Sequence, residues 1–125
     1  MALSGTPAVL QESIVGIVTV NNASGTTAQT IYSTGPDGVF LESLTVASGP
    51  TTAPGGTYTC LITIYDGSAN TGIIKVITLV NTVDTIQFEG YLGINLAAAA
   101  ELRIQMRTTL ASGATLTATM TGRSY

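Results

Sequence analysis

The stretch TIYSTGPDGVFLESLTVA, Thr30 to Ala47, carries the densest local instruction in the chain. Two segments rich in β-branched and aromatic residues flank Ser33-Thr34-Gly35-Pro36-Asp37-Gly38, where Pro36 presets φ for a turn and the glycines tolerate positive φ. This reads as strand, turn, strand, with Ala28 to Ser33 and Val39 to Ala47 as an opening pair. Within the second segment Val39 and Leu41 share one parity, whereas Leu44 and Val46 share the other. The inward face therefore switches near Glu42-Ser43, as a β-bulge would make it do.

The same pattern continues on both sides. Ile14 to Val20 (IVGIVTV) is a first strand in which Gly16 marks a bulge or a close backbone approach, and Asn21 to Thr27 is a loop. Residues 1–13 have weak periodicity and predict an N-terminal arm or extended lead-in, followed by one domain over 14–125. Downstream, Ser48 to Gly56 is rich in breakers and is the longest irregular connection. Thr57 to Asp66 alternates cleanly, Asp66 to Gly72 is turn chemistry, and Ile73 to Val80 returns, which is the strongest hairpin signal in the chain. That return strand is apolar on both parities apart from Lys75 and Thr78, so the expectation is a central strand or one covered on both faces.

Asn81 to Thr85 makes a further turn and Ile86 to Leu92 a short strand. Gly93 to Ala100 contains LAAAA, too short for a helix that stands alone; a capping helical turn and a small-residue contact with a neighbour both fit. Glu101 to Leu110 directs Leu102, Ile104, Met106 and Leu110 inward and Glu101, Arg103, Gln105, Arg107 and Thr109 outward. Ala114 to Gly122 ends the pattern, with Thr115, Thr117, Thr119 and Thr121 on one face and Leu116, Ala118 and Met120 on the other.

About eight strands, short loops and no convincing helix predict an all-β fold: a single-domain β-sandwich, with an eight-stranded jelly roll preferred. An immunoglobulin-like sandwich is the second choice. It lacks the tryptophan and cysteine pair of antibody domains.

Composition narrows the function. The 125 residues are 45% hydrophobic and 9% charged, so the solvent face must be built from threonine, serine, asparagine and glycine. Net charge is −3, and the basic residues are Lys75, Arg103, Arg107 and Arg123, too few and too scattered to track a phosphate backbone. No nucleic-acid partner is expected. The first residues hold no basic segment and no apolar run long enough for a signal peptide or a membrane span, so no membrane is expected either. A surface with few charges suits packing against other subunits, and a homo-oligomer is the expectation. Cys60 is the single cysteine, which rules out an intrachain disulfide.

There is no histidine, which removes the commonest general base and the commonest transition-metal ligand. The acids Asp66, Asp84, Glu89 and Glu101 would need to converge for glycosidase chemistry, yet they sit mostly at turns, and no tryptophan is present to stack a sugar. Asp66, Ser68 and Asn70 alternate like calcium ligands, but the closing glutamate and flanking helices of an EF-hand are missing. No catalytic, cofactor-binding or metal-binding residue is assigned. Instead, Tyr65 and Tyr125 are candidate interface anchors, together with the outward Arg103 and Arg107.

At Thr30 to Ala47 and again at Tyr58 to Val80 the chain resembles small virion proteins of tailed bacteriophages. The shared features are a Thr-x-Tyr strand, a Gly-rich turn, the strand VFLESLTV, and YTCLITIYD entering a Gly/Asn hairpin. The resemblance implies a capsid decoration or cement protein on the virion surface, made in the host cytoplasm. It would oligomerise on the shell, a trimer being favoured over a dimer, and clamp neighbouring major capsid protein subunits. A receptor-binding or fibre-tip module of a phage tail is the alternative.

Overall fold

The computed structural model describes residues 12–50, 58–80 and 83–125. The arm expected over residues 1–13 lies, up to residue 11, outside the described residues, as does most of the connection after Ser48. Eight strands follow one another: β1 (Ser13–Asn21), β2 (Gln29–Ser33), β3 (Val39–Ser48), β4 (Tyr58–Tyr65), β5 (Thr71–Leu79), β6 (Ile86–Leu96), β7 (Glu101–Met106) and β8 (Thr115–Ser124). A single turn of 3₁₀ helix, Asn22–Ser24, follows β1.

The strands form two four-stranded antiparallel sheets, sheet I in the order β1-β8-β3-β6 and sheet II in the order β2-β7-β4-β5. This is a jelly roll: each sheet draws its strands from both halves of the chain, so the backbone crosses repeatedly between layers. The immunoglobulin-like alternative is not the one adopted.

The inner faces meet in one core. Sheet I contributes Val20, Leu41, Leu44, Val46, Leu116, Ala118 and Met120, and sheet II contributes Cys60, Ile62, Ile77, Leu102, Ile104 and Met106, all buried. The inward sets expected on β7 and β8 are therefore the ones that pack, and Leu110 is buried beyond the end of β7. Burying each such aliphatic side chain contributes on the order of 1.5–3 kcal/mol. The parity switch in β3 is also present: its register against β8 runs from Leu41↔Gly122 to Ser43↔Thr121, leaving Glu42 as the extra residue. The bulge lets Leu41 and Leu44 both face the core at an odd spacing.

Three expectations are corrected. First, β2 and β3 do not pair; they belong to different sheets, and the Gly-Pro-Asp-Gly segment is a crossover at the end of the sandwich. Thr34 fixes it, donating its hydroxyl to Ala97 O (2.7 Å) and accepting from Ala100 N–H (2.9 Å). The local sequence specifies a turn but not which layer the chain enters next. Second, the strand expected over Ile86 to Leu92 runs on to Leu96 as β6, and of the two readings left open for LAAAA the helical one is not taken: the alanines form a tight turn with Ala99 at φ 59°. This turn packs closely on the β4–β5 hairpin, where a Cβ on Gly67 would collide with the backbone carbonyl of Ala99. Third, β5 is an edge strand rather than a central one. Ile74 is an extra residue between the pairs Thr63↔Ile73 and Ile62↔Lys75, so apolar residues occupy both parities partly because the strand is bulged. The hairpin of β4 and β5 forms as expected.

Candidate interaction surfaces

The outer face of sheet II is built by side chains that alternate away from the core on β4 and β7. Tyr65 lies opposite Glu101, and Thr63 opposite Arg103. The Arg103 guanidinium sits 4.0 Å from the centroid of the Tyr65 ring, where the negative face of the ring attracts it. Arg103 Nε also donates to Glu101 Oε1 at 2.9 Å, and the Thr30 hydroxyl donates to the same oxygen at 2.7 Å. Those two hydrogen bonds, Arg103 first, hold the Glu101 carboxyl below its usual range. Tyr65 in turn donates its hydroxyl to Ser68 O. Two of the four candidate interface residues, Tyr65 and Arg103, thus form one braced, half-exposed cluster.

Arg107 lies just past β7 and is exposed; its backbone N–H donates to Thr59 O. Tyr125 lies apart from all three, past the end of β8 in sheet I, with its hydroxyl bonded to Asn95 Oδ1. Thr63 is an outer-face residue that is nonetheless 1% exposed, and its Oγ1 is buried without a hydrogen-bond partner.

The outer face of sheet I carries the threonine ladder. Its rows run Val15–Thr121–Ser43–Tyr91 and Ile17–Thr119–Thr45–Glu89. Hydroxyls therefore form a central band, knitted by Ser43 to Thr121 (2.6 Å) and Thr19 to Thr117 (3.1 Å). Large apolar side chains flank the band: Val15 is 63% exposed, Ile17 65% and Tyr91 73%. On sheet II the edge strand β5 likewise exposes Ile73 and Val76. Sequence reasoning missed the aliphatic ones, because exposure depends on which strands end up at a sheet edge.

The Asp66 to Asn70 loop is closed upon itself. Asp66 Oδ1 accepts from the backbone N–H groups of Ser68, Ala69 and Asn70, and Oδ2 accepts from the Asn70 side chain. The Ser68 N–H and the Asn70 amide hold this carboxyl far below the usual carboxylate range. Of the three residues that alternate like calcium ligands, Asp66 thus has its carboxylate oxygens occupied by internal donors. Among the described residues no group of three or more His, Cys, Asp or Glu side chains converges as a metal site. No helix among them is long and apolar enough to cross a membrane.

The described residues form both a small apolar gap and a wider open depression. A gap of about 20 Å³ near Tyr58, Leu79, Leu110 and Leu116 is apolar, and an open depression of about 390 Å³ is lined by Glu12, Tyr32, Asp37 and Tyr125. Cys60 is wholly buried, and burial pushes its thiol up to about 12, so the thiolate that reacts with oxidants is scarce.

No protein-family model matches the sequence, and no curated protein matches it. A solved structure described as "Structure of Eiger TNF from S. frugiperda" superposes with a TM-score of 0.50 over 88% of this chain and 92% of that one, at 9% sequence identity. What the two chains share is the jelly-roll sandwich.

Proposed function

We propose that the protein is a structural virion component, a capsid decoration or cement protein that forms a homo-oligomer on the shell and bridges major capsid subunits. A trimer is favoured over a dimer, and the capsid surface is its destination after synthesis in the host cytoplasm. The observation that carries the reading is the outer face of sheet I, where a band of hydroxyls is rimmed by exposed Val15, Ile17 and Tyr91 and bears little charge. Four strands spaced about 4.8 Å apart, each roughly 30 Å long, present on the order of 600 Å². A standard interface buries about 800 Å² per partner, so this one face supplies most of a specific contact. The absence of histidine and the self-satisfied Asp66 carboxylate fit a molecule that holds others rather than transforming them.

The test is addition of the purified protein to shells that lack it. Saturable binding and greater resistance of the shells to heat are the expected results. Localisation of the chain to a tail end, with no shell contact, overturns the reading. A fibre-tip module is the second reading, favoured by the open depression in which Tyr32 and Tyr125 could stack a host glycan; competition for host adsorption would identify it.

A further inference from the structure

Two sheets present four edges, and three of them carry the devices that stop strands from pairing with strangers. On sheet II, β2 is five residues long and its register shifts between Thr30 and Tyr32, while β5 is bulged at Ile74 beside Lys75. On sheet I, β6 shifts register against β3 at two places, has Gly93 at φ 64° and carries Glu89. Short length, bulges and charges are the usual protection of an exposed edge. The fourth edge, β1, has none of them. Its nine residues, SIVGIVTVN, pair with β8 in unbroken register from Ser13↔Arg123 to Asn21↔Thr115. The strand contains no proline and no charge, and among the described residues no strand pairs with its outer edge.

We propose that this edge pairs with the same edge of a second copy, antiparallel and about a two-fold axis at Ile17, merging two copies of sheet I into one continuous sheet. Charge favours a second copy as the occupant. In a chain of net charge −3, this is a line along which two copies can meet without opposing like charges. The two Glu12 carboxylates, just outside the strand, would lie at opposite ends of the joint, roughly 30 Å apart. Centring on Ile17 pairs all nine residues. It sets Ile17 against Ile17, Val15 against Thr19 and Ile14 against Val20, all β-branched pairs that suit adjacent strands. A contact of one strand's length is smaller than most stable dimers bury. Pairing in solution is therefore concentration-dependent and strengthens when copies are held side by side. A two-fold contact of this kind can join closed oligomers to one another, and it stands on the edge geometry independently of the shell reading.

The experiment combines sedimentation with single cysteines. The wild-type protein should show a concentration-dependent dimer, and Ile17→Lys, a change at an exposed side chain, should weaken it at least tenfold without altering the urea midpoint. Across the axis the two Ile17 Cα atoms would be about 4.5–5.5 Å apart, within disulfide reach. Two Val15 Cα atoms would be about 14 Å apart. Mild oxidation should thus convert Ile17→Cys to a covalent dimer and leave Val15→Cys and the likewise exposed Ile73→Cys without a cross-link, with buried Cys60 silent. A wild-type monomer at every concentration, a dimer indifferent to Ile17→Lys, or equal cross-linking of all three variants overturns the proposal. So does a dimer that appears only after residues 1–11 are removed, which would mean that the chain covers its own edge.

Discussion

Replacing Gly16 by alanine is the sharpest test of how the sandwich is closed. Gly16 sits in β1 at an inward, buried position, and a Cβ built there lies 2.5 Å from Ile31 O, 3.0 Å from Tyr32 Cβ and 3.1 Å from Met120 Cγ. Relieving the first contact means moving the backbone of β2 by somewhat under 1 Å, since a carbon and a carbonyl oxygen rest at about 3.3 Å. That carbonyl belongs to Ile31, the residue skipped in the β2 register, and its neighbours Thr30 and Tyr32 are already paired with Arg103 and Leu102 of β7. Overpacking of this size costs about 1–3 kcal/mol, and the entropy gained by replacing a strand glycine returns about 0.5–1 kcal/mol. The net expectation is a loss of about 1–2 kcal/mol. Gly72 supplies the control, because it lies in β5 and a Cβ added to it would meet nothing within 4 Å, so Gly72→Ala should be neutral or slightly stabilising. Equilibrium urea unfolding of the two variants reads the difference as a shift in midpoint at unchanged slope. If Gly16→Ala unfolds at the same midpoint as Gly72→Ala, then β1 and β2 do not meet as closely as described and the corner is open.

Two further predictions concern polar groups. Thr63→Val removes a buried hydroxyl that has no partner while keeping the β-branched shape, and should raise stability by about 1 kcal/mol in the same assay; a loss would mean that the hydroxyl is bonded. Asp66 has a folded-state pKa lowered by donors in its own loop, so its contribution is complete above the unfolded value near 4 and is lost only as pH falls through the lower folded value. The amide resonances of Ser68 and Asn70 should accordingly stay fixed from pH 7 to about pH 4. Asp66→Ala should speed hydrogen exchange at both amides; a midpoint near pH 4 would show that the loop is open.

What the sequence made legible is what short range determines. Alternation in Leu102, Ile104 and Met106 and in Leu116, Ala118 and Met120 identifies core faces because side-chain direction in a strand has a period of two. The parity change between Leu41 and Leu44 locates the bulge for the same reason. The turn at Gly35-Pro36-Asp37-Gly38 was readable, but its destination was not: whether β3 pairs with β2 or crosses to the other layer depends on β6 and β8, which arrive some fifty and eighty residues later. Edge position is equally non-local. Val76 reads as a buried residue of a central strand and stands exposed because sheet II ends at β5. The Arg103 to Tyr65 stack joins residues of β7 and β4, and outward parity was its only trace in the sequence.

The pairing of β1 with β8 also sets how the protein bears mechanical load. Ser13 lies across from Arg123, and the Ser124 N–H still donates to Glu12 O beyond them, so the N-terminal tail of β1 and the C-terminal tail of β8 lie side by side. Tension between those tails would unzip this strand pair one rung at a time, the easy direction for an antiparallel ribbon. Force entering across the broad sheet surfaces meets the whole packed double layer at once. A cargo slung between the two tails would hang from the frailest seam, whereas a grip spread over the flat sides engages the strongest.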